Sequence, residues 1–217
     1  MTSPIQPQKP IGILGGTFNP IHHGHLRLAL ELYERLDLAE VRLIPSARPP
    51  HREPPSINAE MRLAMVKLAT KDATGLYVDD RELLRGGPSY MVDTLESLRQ
   101  EYPHTPLFLI LGMDAFMTLP HWHQWQRFIT LAHLLVVRRP GKILPMVHIM
   151  RDFLNTYQVR SVQELLHQPA GHVLVQEIPA LTISATQIRG LIANGKNPHY
   201  LLPESVLNFI HTHHLYL

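Results

Sequence analysis

The chain has 217 residues, of which 45% are hydrophobic and 18% are charged, as in an ordinary globular protein. Its formal net charge of +2 is too small to indicate a general nucleic-acid or membrane binder. The absence of cysteine excludes disulfides and thiolate chemistry and fits a reducing compartment. Residues 1–10 lack the apolar core of a signal peptide, and no apolar run reaches the length of a membrane span. We therefore expect a cytoplasmic protein.

Apolar runs typical of strands alternate with helical patterns along the chain. Strands are predicted at Ile11–Leu14, Val41–Ile44, Leu76–Val78, Leu107–Leu111, Leu134–Val137 and Val173–Ile178. Helices are predicted at His25–Leu36, Asn58–Thr70, Tyr90–Glu101, Gln124–Ala132 and Pro203–His214. This alternation predicts an α/β fold with a doubly wound parallel sheet, helices on both faces and a small helical C-terminal extension. We expect one domain over 1–217, in which the less regular residues 138–172 form an insertion or subdomain.

The first predicted strand runs into a glycine- and histidine-rich stretch, Gly15-Gly16-Thr17-Phe18-Asn19-Pro20-Ile21-His22-His23-Gly24-His25. Paired glycines leave room for backbone amides to close on a phosphate chain, and a helix N-terminus adds partial positive charge. The i, i+3 spacing of His22 and His25 places both rings on one helix face. These features together predict a polyphosphate site. Zinc is the weaker alternative, because no cysteine or carboxylate completes a compact ligand set.

Residues 45–56 form a loop rich in proline and basic side chains that follows the second strand. Such a loop could close over anions, since it leaves the sheet at the same edge as the glycine turn. A solvated connector is the alternative for a proline loop of this kind.

Two further stretches carry candidate contacts. A helix is predicted to start near Pro88 and Ser89, which on their own indicate no more than a first turn. Asp114 follows the fourth strand, where a carboxylate can hold ribose hydroxyls. Trp122 or Trp125 could stack on a base or pyridine ring, although a tryptophan is more often part of the core.

The second strong signal lies near the other end of the chain, at Thr182-Ile183-Ser184-Ala185-Thr186-Gln187-Ile188-Arg189-Gly190. Ser184 is a plausible N-cap for a helix that ends near Gly195. Thr186 and Arg189 are also spaced i, i+3, so a hydroxyl and a guanidinium share the first-turn face. This pair suits a two-point grip on a phosphate.

The glycine-turn stretch resembles the phosphate-binding signature of the nucleotidyltransferase superfamily, and the Thr182–Gly190 stretch resembles its second motif. Asn19 stands where the first motif usually has Asp, and Ala185 replaces a Ser of the second. Over nearly the whole chain, further landmarks resemble those of the bacterial nicotinate mononucleotide adenylyltransferases. These landmarks are Pro49-Pro50-His51-Arg52, Pro88-Ser89-Tyr90, Asp93-Thr94-Leu95, Gly112-x-Asp114, Pro120-x-Trp122 and Arg138-Arg139-Pro140-Gly141. Met91 departs from the Thr that is common at its position.

This resemblance implies a Rossmann-like sheet and transfer of an adenylyl group from ATP to nicotinate mononucleotide, with Mg²⁺ delivered with ATP and no metal site in the protein. It implies catalytic roles for His22, His25 and Arg189. ATP contacts are implied for Gly15, Gly16, Thr17, Phe18, His22, His25, Gly112, Asp114, Arg139, Ser184, Thr186 and Arg189. Contacts with the acceptor are implied for Asn19, His51, Arg52, Ser89, Tyr90, Met91, Thr94, Trp122 and His123.

Two alternatives stay open. Pantetheine-phosphate adenylyltransferase shares both motifs, but it lacks the Ser-Tyr and Pro-x-Trp landmarks and is typically shorter. A nucleotide-sensing binding protein on the same fold is the other, and intact His22, His25 and Arg189 argue against it. Beyond the two substrates we expect neither nucleic acid nor a membrane as a partner, and the sequence leaves a homo-oligomer open.

Overall fold

A computed structural model describes residues 9–49, 57–138, 140, 147–179 and 181–217. Within these residues the chain builds one sheet of seven parallel strands in the order β3-β2-β1-β4-β5-β7-β6. The strands are β1 Ile11–Gly16, β2 Glu40–Pro45, β3 Leu76–Val78, β4 Leu107–Gly112, β5 His133–Arg138, β6 Gln158–Val159 and β7 Val173–Glu177. The predicted α/β class and parallel sheet are confirmed.

Helices lie between these strands and after the last of them. They are α1 His23–Arg35, α2 Ala59–Thr70, α3 Arg81–Arg85, α4 Met91–Glu101, α5 Met113–Met117, α6 Phe128–Leu131, α7 His148–Tyr157, α8 Val162–Leu165, α9 Ala185–Ala193 and α10 Glu204–Thr212. Two short 3₁₀ turns, Leu119–His121 and Trp125–Arg127, lie between α5 and α6. The helix predicted at Gln124–Ala132 is thus a 3₁₀ turn that continues into the short α6. No helix of the described part is long and apolar enough to cross a membrane.

The strand order reverses between β1 and β4, and this reversal positions the site. From β1 the chain runs outwards through β2 to β3, then returns to β4 on the other side of β1. Ligands of such sheets bind in the crevice at the carboxyl ends of the strands beside this reversal. The glycine turn follows β1, so it lies at that crevice.

Two apolar clusters cover the sheet, and the side chains of each strand alternate between them. Leu14, Phe108 and Leu135 face one cluster, whereas Ile13, Leu109 and Leu134 face the other. Burial on both sides explains why the central strands read as unbroken apolar runs. The carboxyl edge of the central strands therefore rests on a sheet that is buried on both faces.

The described part of residues 138–172 belongs to the same sheet. Its strand β6 pairs with β7 at the edge. Met150 of α7 and Leu165 of α8 are fully buried, one in each apolar cluster. The division of the chain into domains stays a prediction.

Candidate active site

The glycine turn is fixed to the sheet where β1 ends. The Gly16 carbonyl accepts the N–H of Ser46, the residue after β2, at 2.9 Å. Phe18 turns the chain in the left-handed region, at a φ of 46°. Its buried ring meets the His25 ring edge-on, with the ring centroids 5.1 Å apart. The turn is therefore clamped between the sheet and the first turn of α1.

His22 and His25 form a stacked pair at the start of α1. Their ring centroids are 3.7 Å apart and the ring planes differ by 22°. The backbone N–H of His22 donates to Nδ1 of His25 at 3.3 Å. The shared face predicted from the i, i+3 spacing is confirmed.

Both imidazoles are neutral at pH 7. Burial, followed by the effect of the neighbouring His23, lowers the pKa of His22 to about 4. Burial, followed by the effect of His22, lowers the pKa of His25 to about 3. Because Nδ1 of His25 accepts a hydrogen bond, the proton of its neutral ring resides on Nε2. His25 is therefore a neutral N–H donor in the ligand-free protein.

Gly24 brings the second motif against the first. A Cβ added at Gly24 would lie 2.9 Å from Nδ1 of His22 and 3.5 Å from the Ile183 carbonyl oxygen. A larger residue would therefore force the His22 ring to shift, whereas the Ile183 carbonyl would remain in ordinary contact.

Arg189 of α9 ties the two motifs directly. One of its terminal nitrogens donates to the Asn19 carbonyl at 2.7 Å, and the other donates to the Thr186 hydroxyl at 3.3 Å. The Ser184 hydroxyl oxygen caps α9 by accepting the Gln187 N–H at 3.1 Å. The predicted N-cap and the shared face of Thr186 and Arg189 are confirmed, and a guanidinium is thereby held beside the glycine turn.

Three buried polar side-chain atoms lack a hydrogen-bond partner within the described residues: His22 Nδ1, Ser46 Oγ and Arg62 Nε. Each belongs to this region, since Ser46 contacts Gly16 and Arg62 donates to the Thr17 carbonyl at 2.7 Å. Buried polar atoms in native proteins are nearly always paired, so such a concentration indicates a place for a polar ligand or water.

The start of α4 and the residues before Gln124 form a second wall. The Met91 side chain lies over the glycine turn, because a Cβ on Gly15 would be 2.6 Å from its terminal methyl carbon. The Tyr90 and His123 rings pack with centroids 4.3 Å apart. Trp122, the residue before His123 in the sequence, is half-buried. The structure thus brings Met91 to the turn and His123 to the start of α4.

The side chains of Ser89 and Thr94 are engaged inside the protein. Ser89 Oγ accepts the N–H groups of Ala47 and Arg48 at 2.8 and 3.2 Å. Thr94 is fully buried and donates to Glu82 at 2.7 Å. Because these hydroxyls are engaged inside the protein, the predicted contacts of Ser89 and Thr94 with the acceptor stay a prediction. Backbone groups around them stay available to the prediction.

The adenosine side of the prediction lies at the end of β4. Gly112 is exposed, and nothing lies within 4 Å of a Cβ added there. Asp114 is exposed in the first turn of α5. Trp125, one of the two stacking candidates, is instead buried against Phe153, with ring centroids 5.3 Å apart.

Predicted contacts at His51, Arg52 and Arg139 lie outside the described residues. The closing of the 45–56 loop also depends on such residues and stays a prediction.

Sequence reasoning missed two residues that hold the stretch after β1 in place. Arg62 looked like an ordinary polar position of a helix, and only its burial reveals its bond to the glycine turn. Tyr216 donates to Asn19 Oδ1 at 2.6 Å, although 197 positions separate the two residues. Its burial raises the pKa of the phenol well above its usual value, so the hydroxyl remains a donor. No local pattern signals a contact of this range.

The donor set suits a metal that arrives with a polyphosphate. Within the described ranges no group of three His, Cys, Asp or Glu side chains could hold a metal ion. The turn offers imidazole nitrogens, hydroxyls and backbone amides instead. Mg²⁺ commonly binds through substrate phosphates and water, so these residues fit a magnesium–polyphosphate ligand.

A doubly wound parallel sheet with a glycine turn, a histidine pair and a helix-borne arginine at its reversal defines a nucleotidyltransferase. The model of the family described as cytidylyltransferase-like matches residues 13–191. The probable nicotinate-nucleotide adenylyltransferase of Methylococcus capsulatus is 46% identical over 95% of this chain and 99% of its own. That of Pseudomonas syringae pv. tomato is 49% identical over 95% and 93%. The chain belongs to the cytidylyltransferase-like family and, within it, to the nicotinate-nucleotide adenylyltransferases.

Solved structures agree on the fold. The Plasmodium falciparum nicotinic acid mononucleotide adenylyltransferase complexed with NaAD superposes with a TM-score of 0.72, covering 96% of this chain and 98% of that one. At 14% sequence identity this likeness supports the fold alone.

Proposed function

We propose that this protein transfers the adenylyl group of ATP to nicotinate mononucleotide, giving nicotinate adenine dinucleotide and pyrophosphate. The observation that carries the proposal is the stacked His22–His25 pair on the glycine turn beside Arg189, in a chain of this family.

The reaction is a direct in-line displacement. An oxygen of the mononucleotide phosphate forms a bond to the α-phosphorus of ATP, and the bond from that phosphorus to the α,β-bridging oxygen breaks. The electron pair leaves with pyrophosphate. No protein nucleophile is needed, because such transfers are catalysed by positioning and charge stabilisation.

The glycine turn and α9 supply that stabilisation. The amides of Gly15 and Gly16, with Thr17, cradle the phosphates. The His25 N–H and His22 contact the phosphate chain and stabilise the charge that develops as pyrophosphate leaves. Neutral imidazoles serve here as hydrogen-bond donors that need no protonation step.

The remaining residues of the site divide between the two substrates. Arg189, Thr186 and Ser184 hold the β/γ end, Gly112 and Asp114 bind the adenosine, and Phe18 supports the turn. Mg²⁺ delivered with ATP supplies further neutralisation of the phosphate charge.

The start of α4 provides the acceptor site. The first N–H groups of a helix have no acceptor within it, and the helix end adds favourable charge for an anion. A carboxylate accepts from every such donor, whereas the NH₂ of an amide opposes them. Backbone N–H groups near Met91 and His123 therefore select the nicotinate carboxylate, while Tyr90 and Trp122 contact the ring and Asn19 borders the site.

An acceptor panel tests this proposal and separates it from its alternatives. The protein is supplied with ATP, Mg²⁺ and one of three acceptors: nicotinate mononucleotide, its amide or pantetheine phosphate. We expect nicotinate adenine dinucleotide and pyrophosphate as products. We also expect at least about a tenfold higher kcat/KM for nicotinate than for its amide, since a buried polar mismatch costs roughly 1–3 kcal/mol.

Each other outcome of the panel has a defined meaning. Equal efficiency with the amide would remove the assignment to nicotinate but leave adenylyl transfer intact. Product from pantetheine phosphate alone would favour a pantetheine-phosphate adenylyltransferase. ATP binding without turnover of any acceptor would favour a nucleotide sensor.

We also propose a cytoplasmic location, because the donor is ATP and the chain has no cysteine that could form stabilising disulfides outside the cell.

A further inference from the structure

Two buried charged residues that no motif includes, Arg62 of α2 and Glu82 of α3, lie beneath the site. Arg62 is 1% exposed and Glu82 is 3% exposed. Burial of charged side chains is costly unless they are paired or hydrogen-bonded. Both residues form hydrogen bonds with segments that border the two proposed substrate sites.

Arg62 connects the glycine turn to the loop after β2. One terminal nitrogen donates to the Thr17 carbonyl at 2.7 Å, and the other donates to the Ala47 carbonyl at 3.1 Å. A planar guanidinium holds two carbonyls at a fixed separation through two nitrogens, whereas the donors of an ammonium all lie on one freely rotating nitrogen. The positions of residues 17 and 47 are therefore coupled.

Ser89 continues the connection from the loop to α4. Its hydroxyl oxygen accepts the N–H groups of Ala47 and Arg48, and its own N–H donates to the Arg48 carbonyl at 2.9 Å. The backbone of residues 47–48 is thus held on one side by Ser89 and on the other by Arg62.

Glu82 completes the connection. It accepts the Thr94 hydroxyl at 2.7 Å. Burial raises the pKa of its carboxyl, and the nearby Thr94 and Ser89 hydroxyls oppose that rise. Burial lowers the pKa of Arg62, and Glu82 is one of three neighbouring groups that oppose this shift. Hydrogen bonds therefore run from Thr17 through Arg62 and Ala47 to Ser89 at the start of α4, and Glu82, which is bonded to Thr94 of α4, lies beside Ser89.

We infer that Arg62 and Glu82 are positioning residues that set the separation of the two substrates across the site. The inference rests on the proposed function, because it needs two substrates that react with each other. Misplacement of reacting atoms by about 1 Å can cost on the order of 10²-fold in rate. Loss of the connection should therefore lower turnover while each substrate alone still binds.

The test compares Arg62→Lys and Glu82→Gln with the parent and with Arg99→Lys. Arg99 is a matched control, since it too is a helix-borne arginine bonded to backbone carbonyls. It lies in the last turn of α4, away from the start of α4 that borders the site. Its partners are the carbonyls of Leu131, Tyr102, Thr105 and Pro169. For each protein we measure Tm, kcat, and the Kd of ATP alone and of nicotinate mononucleotide alone, well below Tm.

We expect Arg62→Lys and Glu82→Gln to lose about tenfold or more in kcat, with each Kd within about threefold of the parent. Glu82→Gln loses an acceptor because its NH₂ can only donate. Arg99→Lys should lower Tm and keep kcat. If Arg62→Lys does not fold, Glu82→Gln decides the question by the same criteria.

A folded Arg62→Lys with a kcat within about threefold of the parent would overturn the inference. A variant that raises the Kd of one substrate would also overturn it, since that result would show that the replaced residue serves binding of that substrate. If the parent itself makes no dinucleotide, the proposed function fails and the inference fails with it.

Discussion

At the scale of single residues, burial decides the protonation state of the histidine pair. The lowered pKa values of His22, about 4, and His25, about 3, keep both rings neutral in the ligand-free protein. A bound polyphosphate would then be met by N–H donors rather than by fixed positive charges. The site therefore gains its electrostatics from Arg189 and the helix ends.

Nuclear magnetic resonance of ¹⁵N-histidine tests this protonation state. We expect the ring nitrogens of His22 and His25 to keep neutral-form shifts from pH 8 down to about pH 5 in the absence of ligand. The variants His22→Gln and His25→Gln assign the two rings. A titration of either ring with a midpoint near the ordinary histidine value, about 6.5, would show that burial does not control it.

At the scale of elements, Gly24 shows how α1 is adapted to its first turn. A glycine within a helix usually costs roughly 0.5–1 kcal/mol relative to alanine. At Gly24 an added Cβ would meet Nδ1 of His22 at 2.9 Å, whereas nothing lies within 4 Å of a Cβ on Gly190 in α9. An alanine would therefore be crowded at position 24 but would fit without contact at position 190.

We expect Gly190→Ala to raise the free energy of unfolding by about 0.5–1 kcal/mol. Gly24→Ala should bring no such gain, and it should lower kcat because the His22 ring must move. Urea unfolding and a steady-state assay of both variants measure these effects. An equal gain in stability at Gly24 with unchanged kcat would mean that the close packing of His22 is not needed.

The sequence predicted the elements that carry a strong pattern. The central strands were recognisable because both faces are buried, and α9 because Ser184 caps it. The short α3 was missed, since Arg81–Arg85 is too brief for a helical period. Strand β6 was also missed, since two residues are too few for an apolar run, and no strand order was predicted because order depends on packing between distant segments.

The parts of the site that depend on local sequence were likewise predictable. The two phosphate motifs are local, so spacing alone indicated that the side chains of each share a face. The supports of the site are tertiary: Arg62, Glu82 and Tyr216 act on residues far along the chain. The inward-facing hydroxyl of Thr94 could not be foreseen either, since its partner Glu82 lies in the unpredicted α3.

At the scale of the whole molecule, buried histidines make stability depend on pH. His133 is fully buried, and burial lowers its pKa to about 4. Its Nε2 donates to the Gln168 carbonyl at 2.9 Å, and its Nδ1 accepts the His172 N–H at 3.2 Å. The neutral ring thus joins β5 to the connection that precedes β7.

The direction of the pH effect follows from these values. An unfolded histidine binds a proton below about pH 6.5, whereas the folded His133 does not until about pH 4. The free energy of unfolding should therefore fall as the pH falls from about 6.5 to about 4, by at most roughly 3 kcal/mol for this group. Urea unfolding across this range measures it, and His133→Gln should show a shallower dependence. An identical slope in parent and variant would contradict this role.

The central claim is that the glycine turn, the histidine pair and Arg189 together transfer an adenylyl group. The most direct test follows the label of [α-³²P]ATP in a single turnover with nicotinate mononucleotide, in the parent and in His25→Ala. We expect the label to pass to the dinucleotide in the parent. In His25→Ala we expect the rate to fall by roughly 10²-fold or more, while ATP affinity changes far less. No label in the dinucleotide of the parent, or a variant rate within a few-fold of the parent, would contradict the account.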